Sequence, residues 1–256
     1  MEIGAQFYTI REYCKNLDDF AESIKKVADI GYKYVQISGT CAFEPQWLKE
    51  QLDKNGLQCV LTHTPADKLL SETKQVALDH DTLGCKYVGL GHFGFDETNE
   101  NCTLEAFTNK YKPVVTTLKE NGKYFMYHNH DGEFRKIGNK LILEHLKDLF
   151  TPDEMGFTLD TYWVQAAGAD PAYWIKKLHG RLDRIHFKDM VMNNADRAVR
   201  IAPIGEGNMN YDAIIQACLD ENIQYAYVEL DNCYGADPFE CLKRSYDFLN
   251  ARYGLK

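Results

Sequence analysis

Short runs of β-branched and aromatic residues recur along this chain, each followed by a longer stretch of helical period, and no Pro/Gly/Ser-rich linker separates any two of them. This alternation limits the fold more than any other feature, because repeated strand–helix units pack as a parallel sheet covered by helices. The first helix illustrates the signals. Asp18 and Asp19 stand at its start, Phe20, Ala21, Ile24, Val27 and Ala28 share one face, and Gly31 takes the place of a left-handed C-terminal residue. A strand follows at once, Tyr34–Ser38.

The period predicts eight strands, Ile3–Tyr8, Tyr34–Ser38, Gln58–His63, Tyr87–Gly91, Tyr124–His128, Gly156–Asp160, Arg184–Lys188 and Ala226–Leu230. Helices fit at 18–30, 45–55, 67–83, 103–121, 140–149, 170–179, 211–222 and 237–252. A weak internal echo supports stacked units: Gly31-Tyr-Lys-Tyr-Val-Gln-Ile37 resembles Gly84-Cys-Lys-Tyr-Val-Gly-Leu90, and Asn55-Gly56 is repeated at Asn121-Gly122. Eight such units in 256 residues predict one α/β domain over 1–256, a single (β/α)8 TIM barrel. A doubly wound open sheet is disfavoured, since the first strand runs into Thr9-Ile10-Arg11 and no Gly-x-Gly-x-x-Gly occurs.

Composition narrows the partners. The chain is 45% hydrophobic and 26% charged, as globular proteins are, and its net charge of −9 is the wrong sign for a protein that neutralises nucleic-acid phosphates. It has neither an apolar run long enough for a membrane span nor the basic, apolar start of a signal peptide, so no membrane partner and a cytoplasmic location are expected. Eight cysteines at irregular spacing, without a Cys-x-x-Cys pair, predict reduced and mostly buried thiols.

In a barrel of this kind the working residues lie at the C-terminal ends of the strands. Five of the eight histidines, His63, His92, His128, His130 and His186, fall at such ends, together with Glu133, Asp160 and Glu229. A carboxylate–imidazole cluster of this density is either a divalent metal site or a costly accumulation of buried charge, and the metal reading is preferred.

At these residues the sequence resembles the xylose-isomerase-like barrel superfamily, the sugar isomerase/epimerase branch that also holds ketose 3-epimerases, inosose dehydratases and endonuclease-IV-type nucleases. Tyr127-His-Asn-His-Asp-Gly-Glu-Phe134 and His186-Phe-Lys-Asp189 carry the resemblance. Gly4-Ala-Gln-Phe-Tyr-Thr-Ile-Arg11, Asp160-Thr-Tyr-Trp163, Gly180-Arg181, Gly205-Glu-Gly-Asn208 and Val228-Glu-Leu-Asp231 support it over the whole chain. The ketose epimerases hold one metal ion by Glu, Asp, His and Glu from strands five to eight. The resemblance therefore implies Asp160, His186 and Glu229 as ligands. At the first position the sequence departs, because His128 stands at or near the place of the family's Glu. Glu133 is expected to curl back as the fourth ligand, with His128 and His130 transferring protons or touching substrate; the reverse assignment of Glu133 and His128 stays open. Dimers or tetramers are common in such a family, so a homo-oligomer is a further expectation, with Tyr246, Phe248 and Tyr253 as aromatics of the last helix and tail.

A divalent ion on a carbonyl and its neighbouring hydroxyl stabilises the enediolate formed when the α-carbon loses a proton, with Glu229 or a histidine as base. Isomerisation or epimerisation of a small sugar is the preferred outcome, and a keto-sugar or 3-keto-glycoside lyase or hydratase is the alternative. The ion is Mn, Co, Zn, Fe or Mg, which a mixed carboxylate/imidazole site does not distinguish. Lys188 either faces the developing oxyanion or pairs with Asp189. Arg11, Gln36, His63, His92, Trp163 and Glu206 are the expected substrate contacts, against the alternatives of a solvated rim, core packing and, for Glu206, a plain turn.

Overall fold

The computed structural model describes residues 1–256. Eight parallel strands close a barrel: β1 Glu2–Gln6, β2 Tyr34–Ile37, β3 Gln58–His63, β4 Tyr87–Leu90, β5 Tyr124–His128, β6 Met155–Asp160, β7 Arg184–Phe187 and β8 Tyr225–Val228. Each pairs with its sequence neighbours, and β8 closes on β1 with Ala5 opposite Val228. The main helices are α1 Leu17–Ile30, α2 Pro45–Lys54, α3 Thr73–Thr82, α4 Leu104–Glu120, α5 Ile142–Leu149, α6 Pro171–Lys177, α7 Tyr211–Asp220 and α8 Pro238–Tyr253. α1 shows why they form: the Asn16 side chain caps Asp19 N–H at 2.9 Å, Gly31 ends the helix at φ 122°, and Phe20, Ile24 and Val27 are fully buried against the sheet. Burial of each such side chain contributes about 1.5–3 kcal/mol.

The barrel interior divides into an apolar floor and a polar top. Tyr34, Tyr87, Tyr124 and Tyr225 begin four strands and pack on Val60, Leu61, Met126 and Tyr227, plugging the N-terminal end. Gly4 belongs to this plug, since a Cβ there would lie 2.9 Å from the Tyr227 ring and 2.8 Å from the Tyr34 carbonyl. Side chains alternate across a strand, so the row entering the barrel through Tyr124 and Met126 reaches His128, and the row through Tyr225 and Tyr227 reaches Glu229. In the same way Arg184 leads to His186 and Gly156 to Asp160. Gln6 and Gln36, partners in register, both point inward and are fully buried.

The expected helix over 67–83 is interrupted at Glu72, leaving a short helix Ala66–Ser71 before α3. There the Thr73 hydroxyl donates to the Leu69 carbonyl at 2.6 Å, the acceptor that its own N–H would take in a continuous helix. Other additions were not expected from the period: a 3-10 segment Phe7–Tyr13, a turn Asp131–Phe134, a helix Thr161–Ala166, and two hairpins, Lys136–Ile137 with Lys140–Leu141 and Asp189–Met192 with Val199–Ala202. All eight cysteines are free, five of them buried. No helix is long and apolar enough to cross a membrane. The aromatics of α8 pack inward on the chain, Tyr246 against Tyr32 at 5.0 Å, while the Tyr253 hydroxyl donates to Asp212 at 2.7 Å.

Candidate active site

His128 and Asp160 end β5 and β6, His186 is the penultimate residue of β7 and Glu229 directly follows β8; all are buried, and they bring one ligand atom each within 4.8 Å of one another. Each has a second polar atom fastened by the scaffold. The His128 Nδ1–H donates to the Gly91 carbonyl at 2.9 Å, and Asp160 Oδ1 accepts from Trp163 N–H at 3.1 Å, capping the helix that follows β6. His186 Nε2 donates to Gln36 Oε1 at 2.6 Å, and Glu229 Oε1 accepts from Gln6 Nε2 at 2.9 Å. The four remaining atoms converge: His128 Nε2 lies 3.2 Å from Asp160 Oδ2, and His186 Nδ1 lies 2.7 Å from Glu229 Oε2 and 3.7 Å from Asp160 Oδ2.

With one proton each, spent on the scaffold side as metal binding requires, the rings present lone pairs to the centre, where, against its burial, Glu229 and Asp160 otherwise raise His186 above its ordinary value. The 2.7 Å approach of His186 Nδ1 to Glu229 Oε2 does not have the geometry of a hydrogen bond. Such an arrangement fits a cation in the centre: ligand atoms around a tetrahedral ion with bonds near 2.1 Å lie about 3.4 Å apart, within the spread observed. The outer contacts of Gln36, Gln6 and Gly91 are of the kind that orient metal ligands.

Lys188 reaches the same centre from β7, its Nζ 3.0 Å from Asp160 Oδ2, 3.0 Å from Glu229 Oε2 and 2.9 Å from Asp231 Oδ2. It does not pair with Asp189. Three carboxylates against one ammonium leave an excess of two negative charges, which suits a divalent ion. Burial works against the charge on Lys188, but Asp160, Glu229 and Asp231 outweigh it and hold the ammonium above its ordinary range. Burial would raise Asp160 too; Lys188 and the two histidines instead keep it well below the usual carboxylate range.

Above the centre lies a cavity of about 530 Å³ lined by Tyr8, His63, His92, His130, Trp163 and Asp231, with His128 and Glu229 at its base. His130 stacks edge-on to His128 at 4.8 Å, and its Nδ1 is 3.3 Å from that of His92. Burial, then the neighbouring His128 and His92, push His130 down to about 2, so the ring is neutral. Burial likewise holds His63 well below its ordinary value.

Four expected site residues lie elsewhere. Glu133, expected to curl back toward the centre, is held away from it: its carboxylate accepts from the Tyr127 hydroxyl at 2.5 Å and from His130 N–H at 2.8 Å, so it shapes the loop, and His128 takes the fourth position. Gln36 lies beneath the cavity as the partner of His186. Arg11 braces the rim from outside, donating to the carbonyls of Tyr8 at 2.7 Å and Asp231 at 3.0 Å. Glu206 turns away to Arg244 at 2.7 Å, and its loop is wound on Asp189, whose carboxylate accepts from the N–H groups of Gly205, Gly207 and Met209.

Sequence reasoning overlooked Gln6, Asn129 and Asp231. The Asn129 side chain accepts from Asp160 N–H at 3.1 Å and ties the end of β5 to the end of β6. Inward parity was the available signal for Gln6, two residues after Gly4 on the same row.

A closed parallel barrel with a buried imidazole–carboxylate centre under a polar cavity defines a sugar-isomerase-like α/β barrel. The match to the family model described as xylose isomerase-like TIM barrel spans residues 24–251, and the chain belongs to that family. It is 22% identical to the inosose dehydratase of Lacticaseibacillus casei, over 92% of this chain and 90% of that one. A sugar phosphate isomerase/epimerase from Parabacteroides distasonis superposes with a TM-score of 0.81 at 23% identity, covering 100% of this chain and 95% of the other. A D-psicose 3-epimerase from Clostridium cellulolyticum gives 0.71 at 16% identity, covering 98% and 99%.

Proposed function

We propose that this protein is a divalent-metal-dependent sugar isomerase or epimerase that removes the proton next to a carbonyl. The observation that carries the reading is the set of four buried side chains with one atom fastened to the scaffold and the other aimed at a common point, where the single Lys188 ammonium leaves the carboxylate charge unbalanced. His128, Asp160, His186 and Glu229 are the ligands in this reading. When bound, the ion supplies positive charge to a carbonyl and its adjacent hydroxyl, stabilising the enediolate.

The chain's own groups do the rest. Glu229 lines the cavity and is the base for the α-proton, oriented through Gln6. His130, neutral and buried against Trp163, contacts the opposite side of the substrate and exchanges a proton with it. The Lys188 ammonium lies beneath the cavity lining, held by Asp160, Glu229 and Asp231, and adds positive charge below the developing oxyanion without touching the substrate. Tyr8 and Trp163 offer ring faces to sugar C–H groups, and His63 and His92 contact hydroxyls. The cavity lining includes Glu229 and Asp231 but neither Lys nor Arg, which favours an unphosphorylated sugar over a sugar phosphate.

A second reading, dehydration of a keto-sugar or 3-keto-glycoside, shares the first step and then expels a β-substituent. One observation favours it: His128 stands where a second carboxylate would face Glu229, which weakens a two-carboxylate epimerisation. The inosose dehydratases among the relatives point the same way. The test is metal analysis of the purified protein followed by proton–deuterium exchange, read by NMR, into a panel of ketoses, inososes and 3-keto-glycosides. An epimer or isomer supports the first reading and an eliminated product the second. A metal-loaded protein that exchanges none of them would overturn both.

A further inference from the structure

A second cavity, of about 380 Å³, lies behind the wall of the first and shares Ser38, His63, Thr64 and Pro65 with it. Its far side is formed by the segment from Thr40 to Phe43 and by Val76 and Leu83 at α3. The volume is that of a site for a ring system, not of a packing defect.

Several polar groups around this cavity are bonded to one another, and only His63 Nε2, at the wall shared with the first cavity, is buried without a partner. The His80 Nδ1–H donates to the Val76 carbonyl at 2.7 Å, so its Nε2 accepts from the Thr62 hydroxyl at 2.8 Å. Lys68 pairs with Asp79 at 3.6 Å, and the Thr40 hydroxyl donates to the Cys41 carbonyl at 3.1 Å. Beside these pairs the lining offers a guest the partly exposed Cys41, Ala42 and Phe43, backed by the buried Ile37, Val76 and Leu83, and covering that apolar area removes it from water. The first cavity is lined instead by imidazoles and carboxylates, and the two share a wall that includes His63.

We propose that the second cavity is a subsite for an apolar substituent, an aryl or branched alkyl group carried on the sugar, so that the substrate is a two-part molecule with its polyhydroxy carbonyl half over the metal centre. The proposal rests on the sugar reading for that first half. Ala42, exposed at the lip, and Val76, buried at the far side, are the positions at which a larger side chain fills the space.

Calorimetry on the metal-loaded protein compares the methyl and phenyl glycosides of 3-keto-glucose. The phenyl compound is expected to bind tighter by about ten-fold or more, and Ala42→Trp or Val76→Phe is expected to erase the difference while the methyl compound binds as before. Phenol alone provides an arm independent of the sugar, with its position read from NOEs to the Val76 and Leu83 methyl groups. If phenol reaches those methyls and neither glycoside binds, the subsite stands and the sugar reading fails. Phenol that never reaches them, equal affinity for the two glycosides, or a phenyl preference that survives both variants would overturn the subsite.

Discussion

His128 turns its Nε2 toward the Asp160 carboxylate across 3.2 Å, while its Nδ1–H donates to the Gly91 carbonyl at 2.9 Å. A lone pair on that Nε2 and the carboxylate excess left beside Lys188 both favour a cation between the two side chains. Asp160→Ala and His186→Ala are therefore expected to purify without stoichiometric metal. Elemental analysis beside circular dichroism checks this, and full metal content in both folded variants would remove the centre. Asp160→Ala also loses a helix cap, a cost of about 1 kcal/mol.

The assignment of His128 over Glu133 separates in a paired experiment. His128→Ala is expected to weaken metal binding, whereas Glu133→Gln, which keeps an acceptor for one of the two donors Tyr127 and His130, is expected to bind metal as the parent does. Titration with a metal-sensitive dye reads both. The opposite pattern would return Glu133 to the centre.

Gln36 accepts from His186 Nε2 beneath the cavity, so in the proposed reading it acts through His186 and not on substrate. Gln36→Leu frees the imidazole to rotate or change tautomer, and loss of such an outer contact typically lowers metal affinity about 10–100-fold. The expected result is weaker metal binding with an unchanged KM at saturating metal. A raised KM with parental metal affinity would make Gln36 a substrate contact after all.

Glu229→Gln removes both the proposed base and a ligand charge, and deuterium wash-in at the α-carbon is expected to fall by about 10²–10⁴-fold, the usual range for loss of a general base. Exchange at the parental rate would assign the base elsewhere, with the strand-five histidines next to be tested.

Acid stability provides a test away from the metal. Burial lowers His80 from 6.5 to about 4, and the ring sits neutral between Thr62 and Val76. The unfolded chain takes up the proton as pH falls below about 6.5 while the folded chain refuses it until about 4, so stability is constant above this window and lost within it, by roughly 3 kcal/mol. Denaturant titrations from pH 7 to 4 are expected to show a shallower acid slope for His80→Gln than for the parent. Parallel slopes would mean that His80 is not the neutral group the packing requires.

The amino-acid sequence alone determined the barrel and most of its centre. Strand parity is local: once Tyr124–His128 and Tyr225–Val228 are strands with a tyrosine-plugged floor, His128 and Glu229 must enter the top of the barrel, and period-two alternation in the chain already states it. Asp160 and His186 follow by the same rule. Only the tertiary structure decided the fate of residues beyond the strand ends, because a loop side chain goes where a distant partner draws it. Glu133 settles on Tyr127 and His130 instead of the centre, Glu206 on Arg244 in the last helix, and Arg11 on the Asp231 carbonyl across the closure of the barrel. Those partners are set by how the units stack around the axis, and no spacing along the chain records that geometry.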